Sequence, residues 1–90
     1  MARYFFDLCN GNGWLPDLEG IELANDEIAR AEALTFVRGL IAEDVREGTS
    51  INLAHFISLR SEAGTEILRL HYRNAVQFHE TPPEGQNSIS

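Results

Sequence analysis

Lysine is absent from this 90-residue chain, and all seven basic residues are arginine. This absence excludes Schiff-base chemistry on lysine and any lysine nucleophile. Cysteine occurs once, as Cys9, so no disulfide can form within the chain and a reducing intracellular compartment is expected. No apolar run approaches the ~20 residues needed to cross a bilayer, and no signal-peptide core follows Met1. We therefore expect a cytoplasmic protein that has no membrane contact.

Acidic residues outnumber basic residues by fourteen to seven, which gives a formal net charge of −7. A surface that binds phosphate must supply positive charge, so this excess makes nucleic acid and anionic membranes unfavourable partners. The hydrophobic fraction of 43% is ordinary for a folded soluble domain. A chain of this length forms one domain with a modest core, which contacts with a partner can supplement.

Two N-terminal strands are predicted by the alternation of apolar residues. The segment Arg3 to Cys9 is rich in aromatic residues and contains no helix breaker, and Gly20 to Leu23 alternates in the same way. Alternation divides the first strand between a core face and an opposite face, with Tyr4, Phe6 and Leu8 on the first and Phe5, Asp7 and Cys9 on the second.

A long helix from Glu27 to Glu47 is predicted next. Asn25 or Asp26 can cap its N-terminus, and Gly48 follows as a C-terminal glycine. The apolar residues recur at helical spacing and define one broad arc: Ala29, Ala33, Phe36, Val37, Leu40 and Ile41. Small residues on the outer side (Ala31, Thr35, Gly39 and Ala42) would let another helix approach, but we favour the interpretation that they are short side chains on a solvated face.

The C-terminal half is predicted to form a β-hairpin. Its strands run from Asn52 or Leu53 to Ser61 and from Thr65 to Arg73, and the turn "SEAG" needs Gly64 in a left-handed conformation. The expected fold is α+β, with a mostly antiparallel sheet of about four strands in ββαββ order and the helix on one face. Residues 1–78 form the domain, and residues 79–90 are predicted to be a flexible tail.

The stretch "DLCNGNGWLPDLEG", residues 7–20, partly matches a calcium-binding EF-hand loop. Asn10, Asn12, Gly13 and Glu19 fall on the pattern, but its first position is Leu8, which has no side-chain oxygen. The flanking residues also favour strands over the two helices that an EF-hand requires. We therefore interpret the stretch as a turn, and no function is assigned to Asn10–Gly13.

Other candidate sites have simpler explanations. His55, His71, His79 and Cys9 are widely spaced, without a C-x₂-C or H-x₃-H pair, and are interpreted as solvated histidines and an inert thiol. No catalytic, cofactor-binding or metal-binding residue is predicted, and the protein is not expected to be an enzyme.

The order of these segments resembles a family of short, mainly alphaproteobacterial proteins known only as a domain of unknown function. The likeness is carried by "RYFFDL", by "DLEGIEL" running into "ARAEAL", and by "RSEAG" before a strand ending in "YRNAV". It extends from Arg3 to Val76, and the chain departs from it in the longer loop "CNGNGWLP". The resemblance implies a compact α+β domain and carries over no activity, ligand or catalytic residue.

The strongest functional hypothesis concerns the sheet, because one helix can cover only one of its faces. The other face is predicted to carry large apolar groups beside cationic ones, namely Phe5, Phe56, Arg60, Ile67, Arg69 and His71. Aromatic residues and arginine are enriched at protein interfaces, so a self-associating interaction module, a homodimer, is expected.

Other readings of this face stay open. Aromatic and arginine side chains on a sheet can also bind single-stranded nucleic acid, although the acidic charge disfavours it. An antitoxin-like regulator is a further alternative, by analogy with short acidic strand–strand–helix domains. The remaining alternative is that these are scattered exposed apolar residues without a role.

Overall fold

The computed structural model describes residues 1–78, 80 and 81. In chain order these form β1 (Ala2–Asn10), β2 (Gly13–Leu15), β3 (Ile21–Leu23), α1 (Asp26–Glu47), β4 (Phe56–Ser61) and β5 (Glu66–His71), followed by a 3₁₀ turn at Tyr72–Asn74. The predicted tail, residues 79–90, lies outside the described residues except for Glu80 and Thr81.

All five strands belong to one antiparallel sheet in the order β2-β1-β4-β5, and β3 also pairs with β1. Because β4 occupies one edge of β1, the short strands β2 and β3 share the other edge. The α+β class and the antiparallel sheet are confirmed, but the predicted number of about four strands is wrong. The additional strand is β2, whose three residues are all exposed and therefore show no alternation of burial.

Helix α1 begins and ends at the residues that local sequence rules favour. The Asn25 side chain accepts a hydrogen bond from the Ile28 N–H at 2.9 Å, and Gly48 adopts a left-handed φ of 74°. The residues that face the sheet are buried: Ala29, Ala33, Val37 and Ile41. Phe36, which was predicted on the same arc, is 42% exposed because it lies at the arc's margin, where its ring centre is 5.8 Å from that of Phe6.

The core lies between α1 and one face of the sheet. Ile57 and Leu59 of β4 are fully buried there and pair across the sheet with Leu70 and Leu68. Tyr4 is only 3% exposed, and its hydroxyl donates a 2.7 Å hydrogen bond to Asp26 in the first turn of α1. This contact confirms which face of β1 was expected to be the core face.

A β-bulge in β5 reverses one prediction. Leu59 pairs with Leu68, but the next residue of β4, Arg60, pairs with Glu66, so Ile67 has no partner across the strand pair. A bulge inserts one extra residue and shifts the alternation of faces. Ile67 consequently packs on the helix side, against the cluster that contains Tyr4 and Leu59. Its predicted position on the opposite face is wrong.

Residues 7–20 contain two turns with β2 between them. Asn10 pairs with Gly13, which leaves Gly11 and Asn12 as a two-residue hairpin turn. The second turn is built on Asp17. One oxygen of its carboxylate accepts the Phe6 N–H at 3.1 Å, and the other accepts the Gly20 N–H at 3.0 Å. The interpretation of this stretch as turns between strands is confirmed, with one more strand than expected.

Candidate functional site

The sheet face turned away from α1, here called the outer face, is defined by cross-strand register. Phe5 pairs with Arg60 and Asp7 with Ser58 between β1 and β4, and Ser58 pairs in turn with Arg69 of β5. Partners directly opposite in an antiparallel sheet share a face. In the described residues the outer face therefore carries the following side chains: Arg3, Phe5, Asp7, Cys9, Trp14, Glu22, Phe56, Ser58, Arg60, Glu66, Arg69 and His71.

Four of these residues form an aromatic and cationic cluster, which we call the Phe56 cluster: Trp14, Phe56, Arg69 and His71. The Phe56 ring lies 5.6 Å from that of Trp14, nearly edge to face, and 5.1 Å from that of His71. The Arg69 guanidinium carbon stands 4.4 Å from the centre of the Phe56 ring and 5.9 Å from that of Trp14. The cluster is accessible, because Trp14 is 52% exposed.

A second part of the outer face is organised by an ion pair between β1 and β4. The Arg60 Nε donates to Asp7 at 2.6 Å, and the same guanidinium stands 5.2 Å from the Phe5 ring centre. Burial by itself raises the pKa of Asp7, but hydrogen bonds from Arg60 and from the Asp17 N–H outweigh it, so the net pKa is lowered. Asp7 is thus a buried carboxylate held in its charged form.

Because of the bulge in β5, Glu66 pairs with Arg60 and lies on the outer face, whereas Ile67 lies on the helix side. Its carboxylate accepts a 2.6 Å hydrogen bond from the Ser58 hydroxyl and 3.1 Å hydrogen bonds from Arg69. The Ser58 hydroxyl lowers the pKa of Glu66 most, and Arg69 lowers it further against the opposing effect of burial. Arg69 is therefore held in place by an acid on one side and by the Phe56 ring on the other.

Every arginine on the outer face is matched by a carboxylate. Arg60 pairs with Asp7, Arg69 with Glu66, and Arg3 with Glu22 of the neighbouring β3 at 3.3 Å. Three positive and three negative groups leave this face close to neutral, whereas the whole chain carries −7.

The structure brings together five of the six residues that the sequence indicated. Phe5, Phe56, Arg60, Arg69 and His71 all lie on the outer face, and only Ile67 does not. Sequence reasoning missed Trp14, since it belongs to the unpredicted strand β2. It also missed Glu66, because alternation that puts Ile67, Arg69 and His71 on the outer face leaves no outer-face position for that residue. Trp14 itself was the sequence signal that this loop packs against the sheet, because a tryptophan side chain can bury a large apolar area.

His55 differs from its predicted role as a solvated histidine. It is half-buried, its ring lies 5.5 Å from that of Tyr72, and its Nε2 accepts the Gly11 N–H at 3.1 Å. It therefore anchors the β1–β2 turn to the residue before β4. His71 points away from the core as expected, and His79 lies outside the described residues.

Within residues 1–78, 80 and 81, no group of three or more His, Cys, Asp or Glu side chains is arranged to hold a metal ion. Over the same residues, no helix combines the length and apolar character that crossing a bilayer requires. Asp7 and Asp17, the two aspartates within residues 7–20, both accept hydrogen bonds from neighbouring protein groups.

Fold and surface together define a small α+β domain with one helix-covered sheet face and one open face rich in aromatic and arginine side chains. The chain belongs to the family DUF6894, described as a domain of unknown function, whose family model matches residues 3–73. The match runs from the start of β1 into the 3₁₀ turn after β5, and it confirms the family resemblance seen in the sequence motifs. No curated protein and no solved structure shows significant similarity to the chain.

Proposed function

We propose that this domain is a non-enzymatic interaction module that forms a homodimer through its outer face. The observation that carries the proposal is the Phe56 cluster, in which a half-exposed tryptophan and a phenylalanine are held by an ordered arginine. Tryptophan and arginine are the residues most enriched among those that dominate binding energy at interfaces. Their conformations are already restricted in the monomer, which lowers the entropic cost of docking.

Electrostatics supports a second copy as the partner. Two chains of net charge −7 repel each other overall, so a homodimer needs a surface where acids do not meet acids. The outer face provides such a surface, because Arg3, Arg60 and Arg69 are each paired with a carboxylate. A twofold axis through this face would bring the same patch of both copies together, as in most homodimers.

The same pairing argues against nucleic acid as the ligand of this face. Phosphate binding depends on cationic side chains that release counterions. The guanidinium groups of Arg60 and Arg69 already donate to Asp7 and Glu66, so phosphate would have to displace those carboxylates. The antitoxin-like alternative stays a prediction that rests on fold analogy.

The oligomeric state of the purified chain tests the proposal. Sedimentation equilibrium over a range of concentrations should show a dimer, and Trp14→Glu should shift it to monomer because it places a charge in the apolar centre of the interface. Val45→Glu is the matched control, since Val45 is an exposed apolar residue on α1, on the other side of the sheet. It should dimerise like the unmodified chain.

Cys9 provides an independent measurement, because it is the single thiol of the chain and pairs with Trp14 and Phe56 on the outer face. Its alkylation rate should fall as protein concentration rises, and this dependence should vanish in Trp14→Glu. A chain that stays monomeric at high concentration, with a constant alkylation rate, would overturn the proposal. So would a dimer that Val45→Glu disrupts and Trp14→Glu leaves intact.

A further inference from the structure

A groove runs along the other side of the sheet, between α1 and the edge formed by β1, β2 and β3. Its first part is an open hollow of 410 Å³. Phe6 and Leu8 form its floor, Leu15 and Ile21 one wall, and Phe36 the wall on the helix. The three wall residues are each more than 40% exposed, so apolar surface is presented to solvent.

A second hollow of 380 Å³ adjoins the first, and Leu8 lines both. It extends toward the C-terminal end of α1, where Leu40 continues the apolar part of the helix wall one turn beyond Phe36. The first and last acidic residues along its helix wall are Glu32 and Glu47, which are about 23 Å apart at the rise of an α-helix. We call the two hollows together the acidic groove.

The charge of the acidic groove is of one sign. Five carboxylates line it, and no arginine is among the lining residues; the acids are Asp17, Glu32, Glu43, Asp44 and Glu47. Glu43 is bonded to Arg46 on its own helix and Asp17 to backbone N–H groups. Glu32 and Glu47 form no ion pair with any described residue. The groove therefore differs sharply from the neutral outer face.

We infer that the acidic groove binds a basic amphipathic helix of a partner protein. An apolar floor flanked by charges of one sign fits a helix whose apolar stripe enters the groove and whose lysine or arginine residues meet the rim. A partner of about 15 residues matches the distance between Glu32 and Glu47. Two exposed apolar residues support helix-on-helix packing, since Ile28 and Phe36 each lie one turn from Glu32 on the same side of α1.

A second copy of this chain does not fit the groove as well. Its helix carries acidic residues, among them Asp26, Glu27 and Glu43, which would meet the carboxylates of the rim. Anionic ligands such as nucleic acid are disfavoured for the same reason. Because the groove and the outer face lie on opposite sides of the sheet, this inference does not depend on the proposed homodimer.

Three stapled helical peptides of about 15 residues, matched to the groove at 1.5 Å per residue, test the inference. The first carries leucine along one face and lysine on both flanks. The second has glutamate in place of every lysine, and the third keeps the lysines but has serine in place of leucine. Fluorescence anisotropy with the full chain should show binding of the first peptide and affinities at least about tenfold weaker for the other two.

Variants of the chain then locate the binding site. Replacing Glu32 and Glu47 together by glutamine should weaken the first peptide severalfold, and Phe36→Ser should do the same by removing apolar surface. Glu62→Gln, in the exposed β4–β5 turn, is the control for lost charge and should bind normally. Circular dichroism must show that each variant is folded.

Equal binding of the first and third peptides would overturn the inference, because net charge alone would then explain the affinity. Equal binding of the first and second peptides would also overturn it, because attraction between lysine and the rim carboxylates would then not contribute to the affinity. If the Glu32 and Glu47 double variant and Glu62→Gln behave alike, the peptide does not occupy the acidic groove. Self-association lost in Phe36→Ser but retained in Trp14→Glu would identify a second copy as the occupant instead.

Discussion

The guanidinium carbon of Arg69 lies 4.4 Å from the centre of the Phe56 ring, while the same side chain donates to Glu66. The two contacts hold a cation over an aromatic ring on an exposed sheet face. Such a pair contributes roughly 0.5–1 kcal/mol at an exposed site. Its main consequence is that the long, flexible Arg69 side chain is kept in one conformation beside Trp14.

A double-mutant cycle should measure this contact. Phe56→Leu and Arg69→Met each remove one partner while retaining apolar bulk, and their effects on the free energy of unfolding should be coupled by roughly 0.5–1 kcal/mol. Urea denaturation is the measurement. A cycle between Phe56→Leu and Arg46→Met, which is on the helix, should give no coupling. Strict additivity in the first cycle would contradict the stacked arrangement.

The Asp7–Arg60 pair predicts a specific dependence of stability on pH. The pKa of Asp7 is lowered in the folded protein from the roughly 3.9 of an unfolded chain, so the unfolded state binds more protons in that range. The stabilisation is complete above about pH 5 and is lost as the pH falls through the folded pKa. Asp7→Asn should therefore lower the free energy of unfolding by about 1–3 kcal/mol at pH 7.

The loss caused by Asp7→Asn should shrink as the pH is lowered toward 3, as measured by urea denaturation at several pH values. Glu62→Gln is the control and should follow the unmodified chain throughout. A difference between Asp7→Asn and the unmodified chain that is independent of pH would show that the lost contact is not a charge effect.

Replacement of two glycines by alanine should change the stability of the protein in opposite directions. A Cβ on Gly20 would lie 2.7 Å from both the Phe5 ring and the Tyr4 carbonyl oxygen, at a φ of +71°. Gly20→Ala should therefore destabilise by at least about 1–2 kcal/mol. A Cβ on Gly39, within α1, would meet nothing within 4 Å, and Gly39→Ala should stabilise by about 0.5–1 kcal/mol. Thermal unfolding of both variants checks this, and equal signs would contradict the described geometry.

The His55 contact should be visible in amide exchange. His55→Phe retains a ring against Tyr72 but removes the nitrogen that accepts the Gly11 N–H. Hydrogen exchange at Gly11 should become faster, with a stability loss of about 1 kcal/mol. His71→Phe changes a histidine on the outer face that is not bonded to this turn, so Gly11 exchange should be unaffected. Unchanged exchange in His55→Phe would exclude the anchor.

Much of this fold follows from short-range patterns in the chain. The ends of α1 could be placed because a capping asparagine and a left-handed glycine act within one helical turn, as Asn25 and Gly48 do. The faces of β1 and β4 could be assigned because alternation is regular there and Tyr4, Ile57 and Leu59 are all buried. Phe5, Phe56 and Arg60 were placed on the outer face for this reason.

Tertiary contacts, above all cross-strand pairing, determined the features that the sequence did not predict. The bulge at Ile67 arises where Arg60 pairs with Glu66, a register that depends on hydrogen bonds between two strands and leaves no mark in the alternation of β5 alone. Strand β2 exists because Gly13–Leu15 pairs with the end of β1, and this pairing carries Trp14 onto Phe56. The acidic groove likewise forms only where α1 lies beside β1 and the segments that flank it. Contacts between distant segments decide these features, so the periodicity of any one segment cannot encode them.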